Sequence, residues 1–450
     1  MSQVFKDISK VYFIGIGGIG MSALARYFKA RDFQVAGYDK TRTSLTDTLV
    51  SKGINISYDQ RLQAIPKGFD AEDTLIVYTP AIPNEHPQLS FFQAGNHQIH
   101  KRAAVLGMIT KDSKSLAVAG THGKTTTSAI LGHLLASCEL PVTAFLGGIA
   151  ENYNSNYISK GNKFTVVEAD EFDRSFLELS PEVACVTAMD ADHLDIYGSA
   201  AELERTFKEF AALVPEAKNV LHPKKLPLHG TTVGINDGSD FEATNIRVEN
   251  GAYTFDLKTP REQLKDLRFS LPGHHNLLNA ITALGMAITI GSPTACLPKA
   301  LFEFKGVRRR FSYALRSKDR VVIDDYAHHP TEINAVYQAV SEFYPKQRKL
   351  AVFQPHLFSR TQDFLDGFVK SLDQFDEVIL LEIYPARELP IEGVDSSAIL
   401  NRLSTEKKAL VSKIDLPELV QKSDCEVVLL LGAGDIGEEV QKITSYLHAS

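Results

Sequence analysis

An α/β protein with parallel sheets, laid out as three successive units, is what this 450-residue sequence predicts. Two observations carry that prediction. Apolar strand-like runs alternate with amphipathic helical patterns from end to end, with no solenoid repeat and no low-complexity stretch. Three strands also start afresh ahead of glycine or acidic turns: V-Y-F-I-G-I-G-G-I-G at 11–20, S-L-A-V-A-G-T-H-G-K-T-T-T at 115–127, and V-V-I-D-D-Y at 321–326. One boundary is set near residue 106, just before the strand that feeds the second turn. The other is set near 308, in K-G-V-R-R-R-F, where charge replaces apolar periodicity. The expected units are 1–106, 107–307 and 308–450. Residues 215–270 are polar with short alternating runs such as A-Y-T-F-D-L, and read as a small β-rich excursion of the middle unit.

In the first unit, Gly15, Gly17 and Gly20 satisfy G-x-G-x-x-G after an apolar strand, and a helical pattern follows from Met21. Asp39 ends the next strand, Q-V-A-G-Y-D, about where a ribose-binding acid belongs. A Rossmann-like domain is expected. Its ligand is open on this motif alone, because any diphosphate can use those N–H groups and that helix dipole. A nicotinamide dinucleotide fits, and so does a UDP-sugar. The second turn of the chain tips the choice toward a UDP-linked substrate. Glycines present only for close helix–strand packing are the plain alternative.

The second turn ends in Gly123, Lys124 and Thr125 at the start of a helix, which exposes backbone N–H groups to a polyphosphate. Lys124 is expected to reach the terminal phosphates and the Thr125 hydroxyl to hold magnesium. Gly120, Thr121, His122, Gly123 and Thr126 complete the ATP loop. The spacing is compressed: Val118 stands where the general P-loop has its first glycine. Further on, F-T-V-V-E-A-D-E-F-D ends a strand in Glu168, Asp170 and Glu171, and V-A-C-V-T-A-M-D leads to Asp190, Asp192, His193 and Asp195. Both strand ends should open on one sheet edge, so that Glu168 and His193 share a metal ion. Oxygen donors suit magnesium, and one histidine among them points to tolerance for manganese. In L-P-G-H-H-N-L-L-N-A, Asn276 and Asn279 are i and i+3 on a helix start, placed to read an adenine edge or to cap the helix. The third unit opens with Arg310, Asp324, Asp325, Tyr326, His328 and His329, a strand end where a site is expected.

Composition narrows the field. Hydrophobic residues make up 44% and charged residues 23%, an ordinary globular balance. Net charge is −7 and the longest basic block is Arg308–Arg310, which argues against a nucleic-acid partner. The four cysteines are scattered without a C-x-x-C pair, which argues against disulfides and zinc and for a reducing compartment. No signal-peptide core and no run of ~18 apolar residues is seen, so a cytoplasmic protein without membrane insertion is expected.

Taken together, these motifs resemble the Mur ligase family, and the likeness extends over nearly the whole chain. It rests on A-V-A-G-T-H-G-K-T-T-T, V-V-E-A-D-E, D-A-D-H-L-D-I-Y-G, G-H-H-N-L-L-N-A, R-R-R-F, D-D-Y-A-H-H-P-T-E, F-Q-P-H-L-F-S-R-T and I-Y-P-A-R-E. The resemblance implies a Rossmann-like N-terminal UDP-sugar domain, a central P-loop ATP domain on a parallel sheet, and a Rossmann-like C-terminal amino-acid domain. It also implies an ATP-dependent ligase of peptidoglycan precursor synthesis, and through the wall a part in cell shape and division. The substrates it implies are UDP-N-acetylmuramate and L-alanine, joined through an acyl phosphate. By matching positions, Arg310 would lie near the phosphates and Asp325 near the ribose, while His329 and Arg360 would seat the alanine. The sugar-nucleotide site is expected to include Gly18 and Ile19 in the first turn, with Thr79, Ala81 and Arg102. A monomer or weak homodimer is expected. Phe172, Ala188 and Leu357 depart from the family pattern. His329 is open between taking the amine proton and orienting the substrate. Closure of the C-terminal domain is expected, because an acyl phosphate must be shielded from water. A ligase that attaches a recycled peptide, a nicotinamide oxidoreductase and a non-catalytic nucleotide switch are the rival readings.

Overall fold

The computed structural model describes residues 5–190, 197, 199–249, 251–386 and 388–448. Three α/β domains are built on sheets of five, ten and six strands among the described residues. By packing, the chain divides into two compact units. One is Met1–Asn245 with Phe255–Arg268 and Leu278–Phe304; the other is Ile246–Thr254 with Phe269–Leu277 and Lys305–Ser450.

The five-stranded sheet belongs to the first unit and is parallel throughout. Its order is Asn55–Ser57, Gln34–Tyr38, Lys10–Ile14, Thr74–Tyr78, Gln98–Lys101. The chain order reverses at Lys10–Ile14, so a crevice opens beyond the carboxyl ends of that strand and Thr74–Tyr78. The glycine turn leaves from that point. Val11 and Phe13 enter one core cluster while Tyr12 and Ile14 enter another. Burial on both faces explains why the strand reads as a continuous apolar run.

In the ten-stranded sheet, Lys114–Ala119 runs parallel between Val183–Val186 and Phe164–Glu168. The glycine turn after Ala119 therefore emerges between the strand ends at Glu168 and Val186. The helix that follows, Lys124–Ser137, is buried continuously from Thr126 to Leu135. It is apolar or small on every side, which suits a helix packed all round. The polar stretch after residue 215 supplies the strands Val220–Pro223, Thr231–Ile235, Phe241–Glu249, Ala252–Lys258 and Gln263–Phe269, which extend the same sheet to its edge.

One expectation is corrected here. Cys138 and Cys296 form a disulfide, with Cα atoms 5.6 Å apart across 158 residues of sequence. Spacing along the chain could not show it. The end of helix Lys124–Ser137 and the short turn Thr294–Cys296 meet only through packing of the first unit. Cys185 and Cys425 are free and buried, as expected of structural thiols.

The second unit carries the six-stranded sheet, ordered Ser312–Arg316, Val321–Asp325, Val427–Leu431, Lys349–Phe353, Glu377–Leu380, Lys407–Leu410. Only the edge strand Ser312–Arg316 is antiparallel. Val427–Leu431, near the middle, is buried at every residue. Among the described residues, no helix is long and apolar enough to cross a membrane.

Candidate active site

The glycine turn of the first unit is shaped by what crowds it. Gly15 has φ +89°, and a Cβ there would stand 3.2 Å from Thr79 Cγ2. A Cβ on Gly17 would stand 2.8 Å from Asp39 Oδ2. The Gly17 N–H donates to that oxygen at 2.7 Å and the Thr41 N–H donates to Oδ1 at 3.1 Å. Asp39, read as a ribose acid, is thus the clasp of the turn. Gly18 precedes helix Ile19–Lys29 in an extended conformation and without a side-chain cap, which leaves the helix start to a ligand. Arg102 leans over it, with Nη1 2.8 Å from the Cβ position of Gly20 and Nη2 3.6 Å from Asp170 Oδ2. Gly15 to Gly20, Asp39, Thr79 and Arg102 therefore come together. Ala81 is exposed in the turn just past Thr79.

The second turn depends on two glycines for different reasons. Gly120, at φ +130°, has Thr187 Oγ1 where a Cβ would be; Gly123, at φ +82°, has Asn279 Oδ1 2.5 Å from its Cβ position. Any other residue meets both left-handed strain and a clash. The Thr121 N–H donates to Ala188 O at 3.0 Å, and its hydroxyl accepts from the Asp190 N–H at 3.1 Å. His122 is exposed, its Nε2 3.8 Å from Asp190 Oδ2.

Lys124 is already engaged. Its Nζ donates to Gly120 O at 2.7 Å and to both Glu171 oxygens at 2.8 and 2.7 Å. The Glu171 side chain is 1% exposed. The carboxylate of Glu168 accepts from Thr125 Oγ1 at 3.1 Å, from Ser128 Oγ at 3.0 Å and from the Gly147 N–H at 2.5 Å. Desolvation raises its pKa, while the Gly147 and Ser128 hydrogen bonds and the Lys124 charge pull the other way. Thr125 and Glu168 are thus a contiguous pair of hard oxygen donors, the kind magnesium takes. Their chemistry fits the ion. His193 lies outside the described residues, as do Asp192 and Asp195. Thr126 is buried in the first turn of the helix.

The two asparagines diverge. Asn276 Nδ2 donates to Pro272 O at 2.8 Å, fastening the start of helix His274–Thr289. Asn279 lies against Gly123 of the phosphate loop. Two groups were missed by sequence reasoning. Glu171 was seen as part of an acid run but not as the partner of Lys124. Ser128 stands one helical turn after Lys124, a spacing that places it on the same face as the loop.

In the second unit, Asp325 ends its strand with a carboxylate that accepts from the Phe311 N–H at 2.7 Å and the Ala327 N–H at 2.8 Å. Burial pushes its pKa up to about 6, against the pull of the Arg310 charge. Arg310 lies over the Tyr326 ring, 5.2 Å from its centroid. His329 is the N-cap of helix Pro330–Phe343, and its Nδ1 accepts from the Thr331 N–H at 3.3 Å. That bond engages Nδ1 at the helix start and leaves Nε2 as the ring nitrogen for a substrate. Its ring meets Phe364 edge-on at 4.5 Å.

Arg360 is half-buried on helix Phe358–Asp363. Burial depresses the pKa of both His328 and His356, the latter to about 4, and the Arg360 charge adds to the effect. The departure at Leu357 has a backbone reading: φ is +70° at the residue that starts this helix, a strained conformation for a bulky side chain. Its N–H donates to Tyr384 O at 3.0 Å. His356 stacks on Tyr384 at 5.7 Å, and the Glu388 carboxylate accepts from the Ser359 N–H at 3.0 Å and from its hydroxyl. His356, Tyr384 and Glu388 lie in the quoted motifs, but their mutual placement is tertiary and not marked by spacing along the chain. Phe172 is exposed, and nothing in the structure explains its presence.

The chain belongs to the Mur ligase family. It matches the Mur ligase family catalytic domain over residues 10–114, the Mur ligase middle domain over 118–287 and the Mur ligase glutamate ligase domain over 309–434. Within the family its relatives include the UDP-N-acetylmuramate–L-alanine ligase of Christiangramia forsetii, 58% identical over 98% of this chain and 99% of that one. The enzyme of the same name from Flavobacterium psychrophilum is 59% identical over 98% of each chain. Among solved structures, the UDP-N-acetylmuramate-alanine ligase MurC of Thermotoga maritima superposes with a TM-score of 0.84 at 28% identity, covering 98% of this chain and 99% of that one. A murein peptide ligase from Psychrobacter arcticus shares the fold, with a TM-score of 0.67 at 20% identity over 98% of each chain.

Proposed function

We propose that this chain is the ATP-dependent ligase that joins L-alanine to the carboxylate of UDP-N-acetylmuramate in peptidoglycan precursor synthesis. The observation that carries the reading is the second turn: a lysine and a threonine at a helix start, with Glu168 3.1 Å from the threonine hydroxyl. Relatives of that activity at 58% and 59% identity give the substrates. ATP supplies the driving force. A carboxylate is a poor electrophile, so its oxygen first takes the γ-phosphoryl group, forming an acyl phosphate and releasing ADP. This step needs positioning and charge neutralisation rather than covalent help. Lys124 supplies the charge by moving from Glu171 to the phosphates. The loop N–H groups cradle the chain of phosphates, and the N-terminal glycine turn with Arg102 takes the diphosphate of the sugar nucleotide.

Thr125 and Glu168 are the donors for magnesium, with His193 proposed as a further ligand; bound there, the ion neutralises charge on the transferring group. Arg310, Asn279 and Asp325 are assigned to ATP. Free L-alanine then attacks the acyl carbon: the C–N bond forms, the C–O bond to phosphate breaks, and one proton leaves the amine. Arg360 is the cation for the alanine carboxylate, and His329 orients it through Nε2. His328 and His356, whose pKa values burial lowers, lie beside Arg360. The reaction places the protein in the cytoplasm, where ATP and sugar nucleotides are supplied.

The test is phosphate release from ATP with UDP-N-acetylmuramate present, adding amino acids one at a time. Release that requires both the sugar nucleotide and L-alanine is expected. Release that prefers a tripeptide, or none with any pair, overturns the assignment.

A further inference from the structure

A second cationic site lies away from the glycine turn, at the other end of the helix that begins there. The last turn of helix Ile19–Lys29, the strand Ser155–Ser159 and the segment around Lys52 line an open pocket of about 440 Å³. Four cations line it, Arg26, Lys29, Lys52 and Lys160, and no carboxylate does. None of the four is in an ion pair among the described residues. In a chain of net charge −7, four cations around one pocket with no acid among them are a local excess that the overall charge balance does not supply.

Arg26 is the informative member. The residue is 6% exposed, and its Nε is buried without a hydrogen-bond partner. Burial pushes its pKa down. A buried N–H without an acceptor is costly, and an anion bound against the guanidinium offsets the cost. A plain structural explanation covers part of the cluster: Arg26 and Lys29 sit in the last turn of a helix, where cations offset the macrodipole. It does not cover Lys52 and Lys160, which come from two other elements, nor the unpartnered Arg26 Nε.

The rest of the wall narrows the ligand class. Tyr153 and Tyr157 present aromatic surface, and the volume falls in the range of small-ligand pockets. Asn156, on the strand that forms one wall, donates to Ile19 O at 2.5 Å and to Ser22 Oγ at 2.8 Å. The wall is therefore tied to the first turn of the substrate helix.

We propose that this pocket is a second anion site, distinct from the ATP and sugar-nucleotide sites, that takes a small molecule bearing a diphosphate. Its cations match the three to four negative charges of such a group, and the tyrosines accept the remainder of the molecule. The test is calorimetric titration of pyrophosphate into the full-length protein, its phosphate loop filled with a non-hydrolysable ATP analogue and its first turn with UDP-N-acetylmuramate. Wild type is compared with Lys52→Gln/Lys160→Gln, both positions being outside the catalytic machinery. One residual pyrophosphate site is expected in wild type, weakened at least tenfold in the variant, with turnover at saturating substrates unchanged. A parallel titration with GDP separates the sources: tighter binding than pyrophosphate assigns the site to a nucleotide, equal binding to the free diphosphate. Because the readout is the difference between wild type and variant, it stands whether or not the assigned substrates are correct. No residual binding, or equal affinity in the variant, overturns the proposal.

Discussion

Truncating Lys124 tests the phosphate loop and its buried partner together. In wild type, Nζ holds both oxygens of Glu171 at 2.8 and 2.7 Å, with side-chain exposures of 18% for the lysine and 1% for the acid. Lys124→Ala takes the ammonium away from a carboxylate nearly shut off from water. Breaking one side of a buried pair costs about 3–5 kcal/mol. Some water reaches the lysine end, so the lower figure, about 3 kcal/mol, applies. In a large domain each kcal/mol moves the melting temperature by about 2–4 °C, so the first unit should melt roughly 6 °C or more below wild type. Adding Glu171→Gln removes the stranded charge and should recover most of that loss. Activity should stay down by about a thousandfold in both, because the phosphate charge is still unmet. Differential scanning calorimetry at pH 8, with phosphate release alongside, reads both effects. A single variant that melts with wild type at pH 8, or a double variant no more stable than the single, refutes the reasoning.

Reduction of Cys138–Cys296 opens a loop spanning 158 residues, a chain-entropy loss of about 5 kcal/mol, so reductant should lower the melting temperature of the first unit; four titratable thiols in unreduced, denatured protein would remove the disulfide. His329→Ala should cost about 1 kcal/mol of stability through the lost cap, while His329→Asn keeps the cap. The Asn variant should raise the KM for L-alanine and leave the pH profile of kcat unmoved; loss of the acid-side limb would assign His329 the general-base role. His356 has a folded-state pKa depressed to about 4, so the stability it contributes is complete above its unfolded value of about 6.5 and is lost as pH falls toward 4. In thermal scans wild type should lose stability relative to His356→Phe as pH falls from 7 to 4; parallel curves would disprove this.

Local chemistry explains what was legible. A glycine turn ending in Lys124–Thr125, an acid at the end of a strand and a G-x-G-x-x-G loop are short-range devices whose physical demands fall on adjacent residues. Gly120 and Gly123 need positive φ, and that need appears in the sequence as glycine. The β-rich extension after residue 215 was legible from alternation. What escaped was convergence. Glu171 lies 47 residues from Lys124, and nothing along the chain distinguishes it from Asp170 beside it. Asp39 could be placed at a strand end, but not turned back onto the Gly17 N–H.

By itself, then, the sequence determined the α/β class, the strands of the three sheets and the glycine turn that ends in Lys124 and Thr125, because periodicity and turn chemistry are written in neighbouring residues. Only the tertiary structure decided which partner each side chain holds: Lys124 on Glu171, Glu168 on Thr125 and Ser128, Nδ1 of His329 on its own helix, Cys138 on Cys296. It also decided that Arg26, Lys29, Lys52 and Lys160 face one pocket. The physical reason is the same in each case. Hydrogen bonds, ion pairs and disulfides act over a few ångströms, and packing of whole elements brings distant residues within that range.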